Sequence, residues 1–529
     1  MATATLDPPT THVITVKNPR TGETLYSVPE PTHEDVDRVY EKARAAADRL
    51  RAMTPRERGV EAEKLKRYIL ANRDKIARRI VEETGKCVTD ATMMEIFPVI
   101  DTIAYYQKYA PKFLADEKLR TPLMLAGKKA RIHYEPMGVV LIISPWNYPF
   151  HLSIVPWLCA YFAGNAAILK PSRYTPLHGV VEDIVKNSGF MEDALQVVYA
   201  SRKTAGYLIE KRPDKIHFTG SVDVGRQIMA QAAQWLIPVE LELGGKDPLI
   251  VFDDVNLERA TSGALWGGFA NCGQTCTSIE RIFVHERIYD DFLARLKEKA
   301  EKLRLVDGHT PIDDEGELGV GCMTADFQIR EIEEQLAEAK ARGARFVTGG
   351  GREGASHVFP PTIVTDVDRD MRVQWHETFG PVITVRKFRT EDEAVAMAND
   401  SPYGLAASVW SADRDRALRV ARRLVTGNVS INNVLATQAH PGLPFGGLKD
   451  SGFGRYRGKI GLHAFSNIKS ILVDRNSGRL EPYWYPYSRE KLTLLSRILE
   501  SVTQGGLAGI LKTLAAAIKL EFQNRRERL

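Results

Sequence analysis

Apolar positions along the chain follow two rhythms. Between residues 30 and 115 they recur at helical spacing among many charges, as at Val36, Val39 and Tyr40 and again at Leu65, Tyr68 and Ile69. That spacing predicts helices lying over a larger body. Beyond them the pattern changes. A basic, strand-like stretch at 129–137 precedes the apolar run Val139–Ile143, which Ser144-Pro145 stops, as expected for a strand buried on both faces of a parallel sheet. The unit recurs at 166–169, 195–198 and 215–218, with helical stretches between. A second series runs from about 246 to 440, with strands at 248–252 and 281–284 and helices at 286–304 and 327–342. Strands alternating with helices predict an α/β protein with two doubly wound sheets. Glycines at 349–351 and 446–447 mark turns, Gly452-Phe453-Gly454 reads as another, and 468–473 reads as a late strand apart from either sheet. There is no internal repeat.

Length and composition narrow the class without naming it. A chain of 529 residues exceeds one compact core and calls for two to four domains. The net charge of +5 leaves no nucleic-acid footprint. Five cysteines (Cys87, Cys159, Cys272, Cys276, Cys322) lack paired metal-ligand spacing, so no metal is expected, and their odd number argues against a secreted disulfide framework. A reducing cytoplasm is expected. The N-terminus shows no secretory pattern, and no run reaches 18 uninterrupted apolar residues.

Three short segments carry candidate chemistry. In Asn271-Cys272-Gly273-Gln274-Thr275-Cys276 a thiol stands among small and polar neighbours that let a substrate approach. A thiol is intrinsically nucleophilic and its surroundings can activate it, although a lone cysteine is more often buried and inert; Cys159 reads that way. Glu242 ends the apolar stretch Val239, Leu241, Leu243, just before Gly244-Gly245-Lys246, where a carboxylate can act as a general base; Glu240 reads as a surface glutamate. In Pro145-Trp146-Asn147-Tyr148-Pro149 an asparagine sits at the carboxyl end of a strand, the end where α/β sheets hold ligands, and its amide can donate to an oxyanion.

With these segments in order, the chain resembles the aldehyde dehydrogenase superfamily over nearly its whole length. Further matching stretches are Asn18-Pro19-Arg20-Thr21-Gly22, Leu169-Lys170-Pro171-Ser172, Phe218-Thr219-Gly220-Ser221 with Gly225, Glu377-Thr378-Phe379-Gly380-Pro381-Val382 and Pro444-Phe445-Gly446-Gly447. The resemblance implies that Cys276 attacks an aldehyde, that Asn147 and the Cys276 N–H hold the oxyanion, and that Glu242 activates water against the thioester. It implies a cofactor, NAD or NADP, bound by Ile143, Trp146, Lys170, Ser172, Arg173, Gly220, Ser221, Gly225, Leu243, Glu377 and Phe379, and a substrate path lined by Tyr148 and Phe445. Many NAD-preferring members carry a glutamate where this chain has Arg173, so NADP is expected to be accepted. The implied layout is an NAD(P)-binding domain (13–115 and 138–243), a catalytic domain (244–445), oligomerisation strands (116–137 and 455–475) of a homodimer or homotetramer, and a C-terminal extension (485–529).

Gly454-Arg455-Tyr456, Gly458-Lys459, Gly461, Phe465-Ser466 and Pro156 look like the class 3 and fatty-aldehyde branch, which implies a medium- or long-chain aliphatic aldehyde. A semialdehyde substrate is the alternative, and a non-catalytic protein that kept the fold is a third. Residues 489–529 hold eight Lys and Arg against four Asp and Glu. Apolar stripes at Leu492, Leu495, Ile498, Leu499, Val502 and at Leu507, Ile510, Leu511, Leu514, Ile518, Phe522 predict two amphipathic helices. With Lys512, Lys519, Arg525, Arg526 and Arg528 nearby, the second helix suits a peripheral membrane contact, a cap on the substrate path, or packing on its own protein or a partner subunit.

Overall fold

The computed structural model describes residues 13–122, 125, 127–306, 319–352, 354–474, 480–504 and 506–526. The N-terminal residues 1–12, the end of the 455–475 stretch, and Arg528 lie outside them. The described chain divides into two compact units, one of residues up to 115 with 133–469, the other of 116–132 with 470–529.

The first unit contains both large sheets. In the six-stranded sheet Val139–Ile143 lies between Ala166–Lys170 and Lys215–Thr219, with Leu195–Val197 outside the former and Val239–Glu242 outside the latter. These five strands are parallel. The chain builds outward to 195–197 and then crosses back to 215–219, so the order reverses beside Val139–Ile143. Ligands in open α/β sheets bind outside the strand ends at such a reversal. All five residues of Val139–Ile143 are buried, which explains why the run is continuously apolar. The helix His151–Phe162 that follows is buried at every position. Its outer cover is the helical N-terminal region, whose His33–Ala52 and Pro55–Ala71 begin with capping boxes at Thr32/Asp35 and Thr54/Glu57, each satisfying first-turn N–H groups.

The seven-stranded sheet runs Arg345–Thr348, Thr362–Thr365, Val382–Phe388, Ile279–His285, Asp247–Val251, Ala406–Trp410, Asn428–Ile431. Only the first of these is antiparallel to its neighbour. The late strand, Ser466–Val473, stands apart from both large sheets, in a three-stranded sheet with Lys129–Pro136 and Glu117–Leu119. The second unit also holds the tail helices Arg489–Gln504 and Gly506–Arg526.

Two features differ from expectation. Val13–Lys17 and Thr24–Pro29 form an antiparallel hairpin around the Asn18–Gly22 turn. Gly452–Phe453, expected as a turn, is a short strand antiparallel to Val239–Glu242, pairing Gly452 with Glu242 and Phe453 with Leu241. Glycine makes this possible: at φ +95° a Cβ on Gly452 would stand 2.1 Å from the Leu241 carbonyl oxygen, and only a residue without Cβ adopts that backbone cheaply.

Candidate active site

The segment that carries Cys276 is built from backbone conformations that L-residues rarely adopt. Asn271, Cys272 and Gly273 take φ of 52°, 55° and 68° in succession, and a Cβ on Gly273 would lie 2.1 Å from the Gly380 carbonyl oxygen. Such strain persists only when surroundings over-determine it. Here they do. Asn271 N–H donates to Asp90 Oδ2 at 3.0 Å, and its side chain donates to the Asn147 and Gln274 carbonyls at 3.2 and 3.0 Å. Gln274 donates to Asn271 O at 3.1 Å and accepts from Thr324 N–H at 2.8 Å.

Asn147 follows Val139–Ile143 and is 3% exposed. One hydrogen of its amide goes to the Gln274 carbonyl at 2.9 Å, leaving the second for another acceptor. Its own carbonyl accepts from Lys86 Nζ at 2.7 Å. Lys86 is buried in an ion pair with Glu95 at 2.5 Å and lies 4.2 Å from the Tyr148 ring centre. Tyr148, also buried, shares a hydrogen bond of 2.6 Å with Thr275 Oγ1, next to Cys276. The Cys276 N–H has no hydrogen-bond partner among the described residues.

Cys276 is half-buried; the other four cysteines are buried, and none of the five is disulfide-bonded. Burial raises the Cys159 thiol to about 11. Burial and then the neighbouring Glu242 push the Cys276 thiol well up. Glu242 ends its strand 1% exposed, and burial raises its carboxyl to about 7. Cys276 and Thr219 lie near enough to pull it down somewhat, yet neither oxygen has a partner at hydrogen-bond geometry. Gly245 brings the two backbones together: a Cβ there would stand 2.3 Å from the Cys276 carbonyl oxygen. A carboxyl poised near neutrality beside a thiol and an amide with a spare hydrogen can move protons and stabilise a developing oxyanion.

Glu240 is not on the surface. It is 2% exposed and paired with Lys215 at 3.2 Å, because Gly452–Phe453 covers the strand edge that an outermost position would leave open.

Most residues implied for the cofactor lie at the carboxyl ends of the same sheet, and Glu377 and Phe379 come from the segment before Val382–Phe388 of the seven-stranded sheet. Ile143 pairs with Lys170 across neighbouring strands. Ser172 and Arg173 follow; the Ser172 hydroxyl accepts from Tyr174 N–H at 3.3 Å, and Arg173 donates to the Tyr174 hydroxyl at 3.0 Å. Gly220 and Ser221 open the helix Val222–Ala233, whose first turn receives no side-chain cap, leaving N–H groups for an anion. Gly225 lets that helix lie against Leu243, since a Cβ would meet it at 2.7 Å. Burial and then Arg173 lower Lys170 to about 8, a cation short of anionic neighbours. Trp146 stands edge-on to Phe379 at 5.3 Å. Glu377 accepts from Gly245 N–H at 2.9 Å, and burial and then Glu280 raise it to about 8. Uncapped N–H groups, an under-neutralised lysine and glycine-bared backbone fit a dinucleotide. Phe445 lies deeper, buried against Tyr456 at 5.8 Å.

Sequence reasoning missed the pairs that brace these groups. Lys246 pairs with Glu280 and donates to Thr378 Oγ1 at 2.8 Å, while Glu280 accepts from the Thr378 and Phe379 N–H groups at 2.8 and 2.9 Å. The ion pair thereby holds the segment that carries Glu377 and Phe379. A signal was present: Glu280 and Arg281 lie near the start of the mostly apolar strand Ile279–His285, and charges there demand buried partners.

A reversal of strand order beside a half-buried thiol, a buried carboxyl and a buried amide suits an enzyme that binds a nucleotide, with the thiol as candidate nucleophile. Residues 7–471 match the aldehyde dehydrogenase family, and the chain belongs to it. It is 42% identical over 477 residues, covering 90% of this chain and 88% of the relative, to a 4,4'-diapolycopene aldehyde oxidase of Methylomonas sp. It is 36% identical to a probable NADP(+) succinate-semialdehyde dehydrogenase of Sinorhizobium fredii, over 87% of this chain and 92% of that one. Among solved structures, the Mycobacterium tuberculosis aldehyde dehydrogenase complexed with NAD+ superposes with a TM-score of 0.83 at 33% identity, over 89% of this chain and 96% of that one. The protein is an aldehyde-oxidising enzyme that uses NAD or NADP.

Proposed function

We propose that the enzyme converts an aldehyde to its carboxylic acid through a covalent adduct on Cys276. The Cys276 thiol releases its proton to solvent, the sulfur bonds to the carbonyl carbon as the C=O π bond opens, and the oxygen, now carrying the negative charge, accepts hydrogen bonds from the spare Asn147 N–H and the Cys276 N–H. A nicotinamide held by the residues named below would supply the hydride acceptor. Loss of hydride leaves a thioester on Cys276. Glu242, with a pKa of about 7, then takes a proton from water as the water oxygen attacks the acyl carbon; the C–S bond breaks and the thiolate and acid separate. The observation that carries this reading is the placement of Glu242 beside Cys276, although they are 34 positions apart in the sequence. If it holds, Cys276→Ala abolishes aldehyde-dependent NAD(P) reduction; wild-type activity in that variant refutes it.

Ile143, Trp146, Lys170, Ser172, Gly220, Ser221, Gly225, Leu243, Glu377 and Phe379 hold the cofactor, and Arg173 adds a cation beside Lys170 for a 2′-phosphate. Tyr148 and Phe445 give the substrate path aromatic walls, which suits an apolar, medium- or long-chain aldehyde, as do the branch-like motifs around Gly454 and Pro156. The Methylomonas relative's name carries a diapolycopene aldehyde. One observation favours a semialdehyde instead: Arg457 is 2% exposed, has no carboxylate partner among the described residues, and its Nε lacks an acceptor. A panel of aliphatic aldehydes by chain length against succinate semialdehyde, with each cofactor, decides between them. The family and the three-stranded sheet suit a homodimer or homotetramer, and a thiol nucleophile suits a reducing cytoplasm.

A further inference from the structure

The two tail helices are folded on each other around a small core of Leu494, Ile498, Ala516 and Leu520, and most of their large apolar residues lie outside it. Lys491 Nζ donates to Asn524 Oδ1 at 2.9 Å and Ser501 shares a hydrogen bond of 2.7 Å with Thr513, so the helices run antiparallel. The buried stripe of Gly506–Arg526 is Gly509, Thr513, Ala516, Leu520 and Asn524. Leu520 apart, its large apolar residues point the other way: Leu507 is 81% exposed, Leu511 61%, Ile518 57% and Phe522 61%, with Ile510 and Leu514 also exposed. In water the arrangement should be reversed, with leucines inside and small or polar residues outside. Small and hydrogen-bonding residues between helices, with large apolar ones outside, is the pattern of helices whose surroundings are themselves apolar.

Charge says which apolar surroundings. Lys512, Lys519 and Arg526 recur every seven residues and fall on one flank of the exposed stripe. Residues 489–529 carry eight basic against four acidic side chains. Trp484, Tyr485 and Tyr487, just before the first tail helix, are exposed, and amphipathic aromatics of this kind favour the headgroup level of a bilayer. No helix among the described residues is long and apolar enough to cross a membrane, so the hairpin lies along the surface rather than through it.

We infer that the hairpin seats the enzyme on a lipid bilayer bearing anionic headgroups, with the stripe of Leu507, Leu511, Ile518 and Phe522 in the acyl boundary and the Lys512, Lys519, Arg526 flank at the phosphates. The inference stands independently of the catalytic reading and is tested without substrate. Full-length protein is floated with vesicles of phosphatidylcholine alone or mixed with phosphatidylglycerol. Wild type co-floats with the mixed vesicles. Lys512→Glu combined with Lys519→Glu and Arg526→Glu weakens that binding on the order of a hundredfold or more, each basic side chain at an anionic surface contributing roughly fivefold. Leu514→Glu with Ile518→Glu abolishes binding to either vesicle; these positions are exposed, so melting temperature and helix content stay unchanged. Absence of wild-type binding to mixed vesicles overturns the inference. So does undiminished binding by the Leu514→Glu, Ile518→Glu variant, or a fall in subunit number in that variant without vesicle binding by wild type, which assigns the stripe to a second copy.

Discussion

Glu242→Gln is expected to make the enzyme more stable while nearly stopping its turnover. The carboxyl is 1% exposed, and its pKa stands at about 7 against an ordinary 4.5. Above pH 4.5 the unfolded chain gives up a proton that the folded chain retains, so stability is fully present below the ordinary value and is lost as pH rises toward 7. A displacement of about 2.5 pKa units corresponds to roughly 3 kcal/mol, nearly all of it lost by pH 8. Glutamine fills the same space without ionising and should recover that amount, a gain on the order of a few °C in Tm for a chain this long. Thermal melts of wild type and variant at pH 8 and pH 5, without cofactor, read it: the variant melts higher at pH 8, and the gap closes toward pH 5. Rapid-mixing measurements should show the first turnover of NAD(P) reduction retained and the steady state depressed, because the carboxylate acts on the thioester. A variant that melts no higher than wild type at pH 8, or a gap of equal size at both pH values, refutes the account of Glu242 as a base held against its burial.

Asn147→Ala should lower kcat by roughly 100- to 1,000-fold, the usual cost of losing one oxyanion donor, with the fold intact by circular dichroism. Arg173→Glu should shift the kcat/KM ratio from NADP toward NAD, and an unchanged ratio excludes Arg173 from 2′-phosphate recognition. Lys86→Met leaves the Glu95 carboxylate buried without its cation and should cost roughly 3–5 kcal/mol, read as a lowered melting temperature together with a reduced kcat, since Lys86 also holds the Asn147 carbonyl. Hydrolysis-limited turnover in wild type should rise through pH 7 as Glu242 ionises, and a profile flat from pH 6 to pH 8 argues against it.

The strands of the first sheet were legible because Val139–Ile143 is buried on both faces and cannot afford a polar position. Small residues and glycines around Cys276, Glu242 and Asn147 marked them as candidates, but each alone has a bland reading, and it was the order of the three segments, through the family resemblance, that singled them out. What brings a distant segment onto a strand was not. Gly452-Phe453 carries turn residues, and nothing nearby says that it will pair with Leu241 and Glu242 210 residues earlier; Glu240 was misplaced for the same reason. Lys86 and Glu95 look like ordinary helix charges until tertiary packing buries them together. The hairpin at 13–29 is too short and polar for its alternation to stand out. The two tail helices were legible as amphipathic, but which stripe faces inward depends on the partner helix, and the leucine-rich stripe is the one left outside.

The pairing of Gly452 with Glu242 also bears on when the enzyme becomes active during its synthesis. The strand that ends in Glu242 leaves the ribosome well before Gly452–Phe453, the segment that pairs with its edge 210 residues later. Contacts this distant in the chain form late and slow the approach to the native state. Until residue 453 has emerged, the strand edge beside Glu242 lacks this partner, so a nascent chain can carry Cys276 and Glu242 without yet having the closed site. Closure of the sheet around Glu242 is therefore tied to the emergence of Gly452–Phe453 rather than to the synthesis of its own domain half.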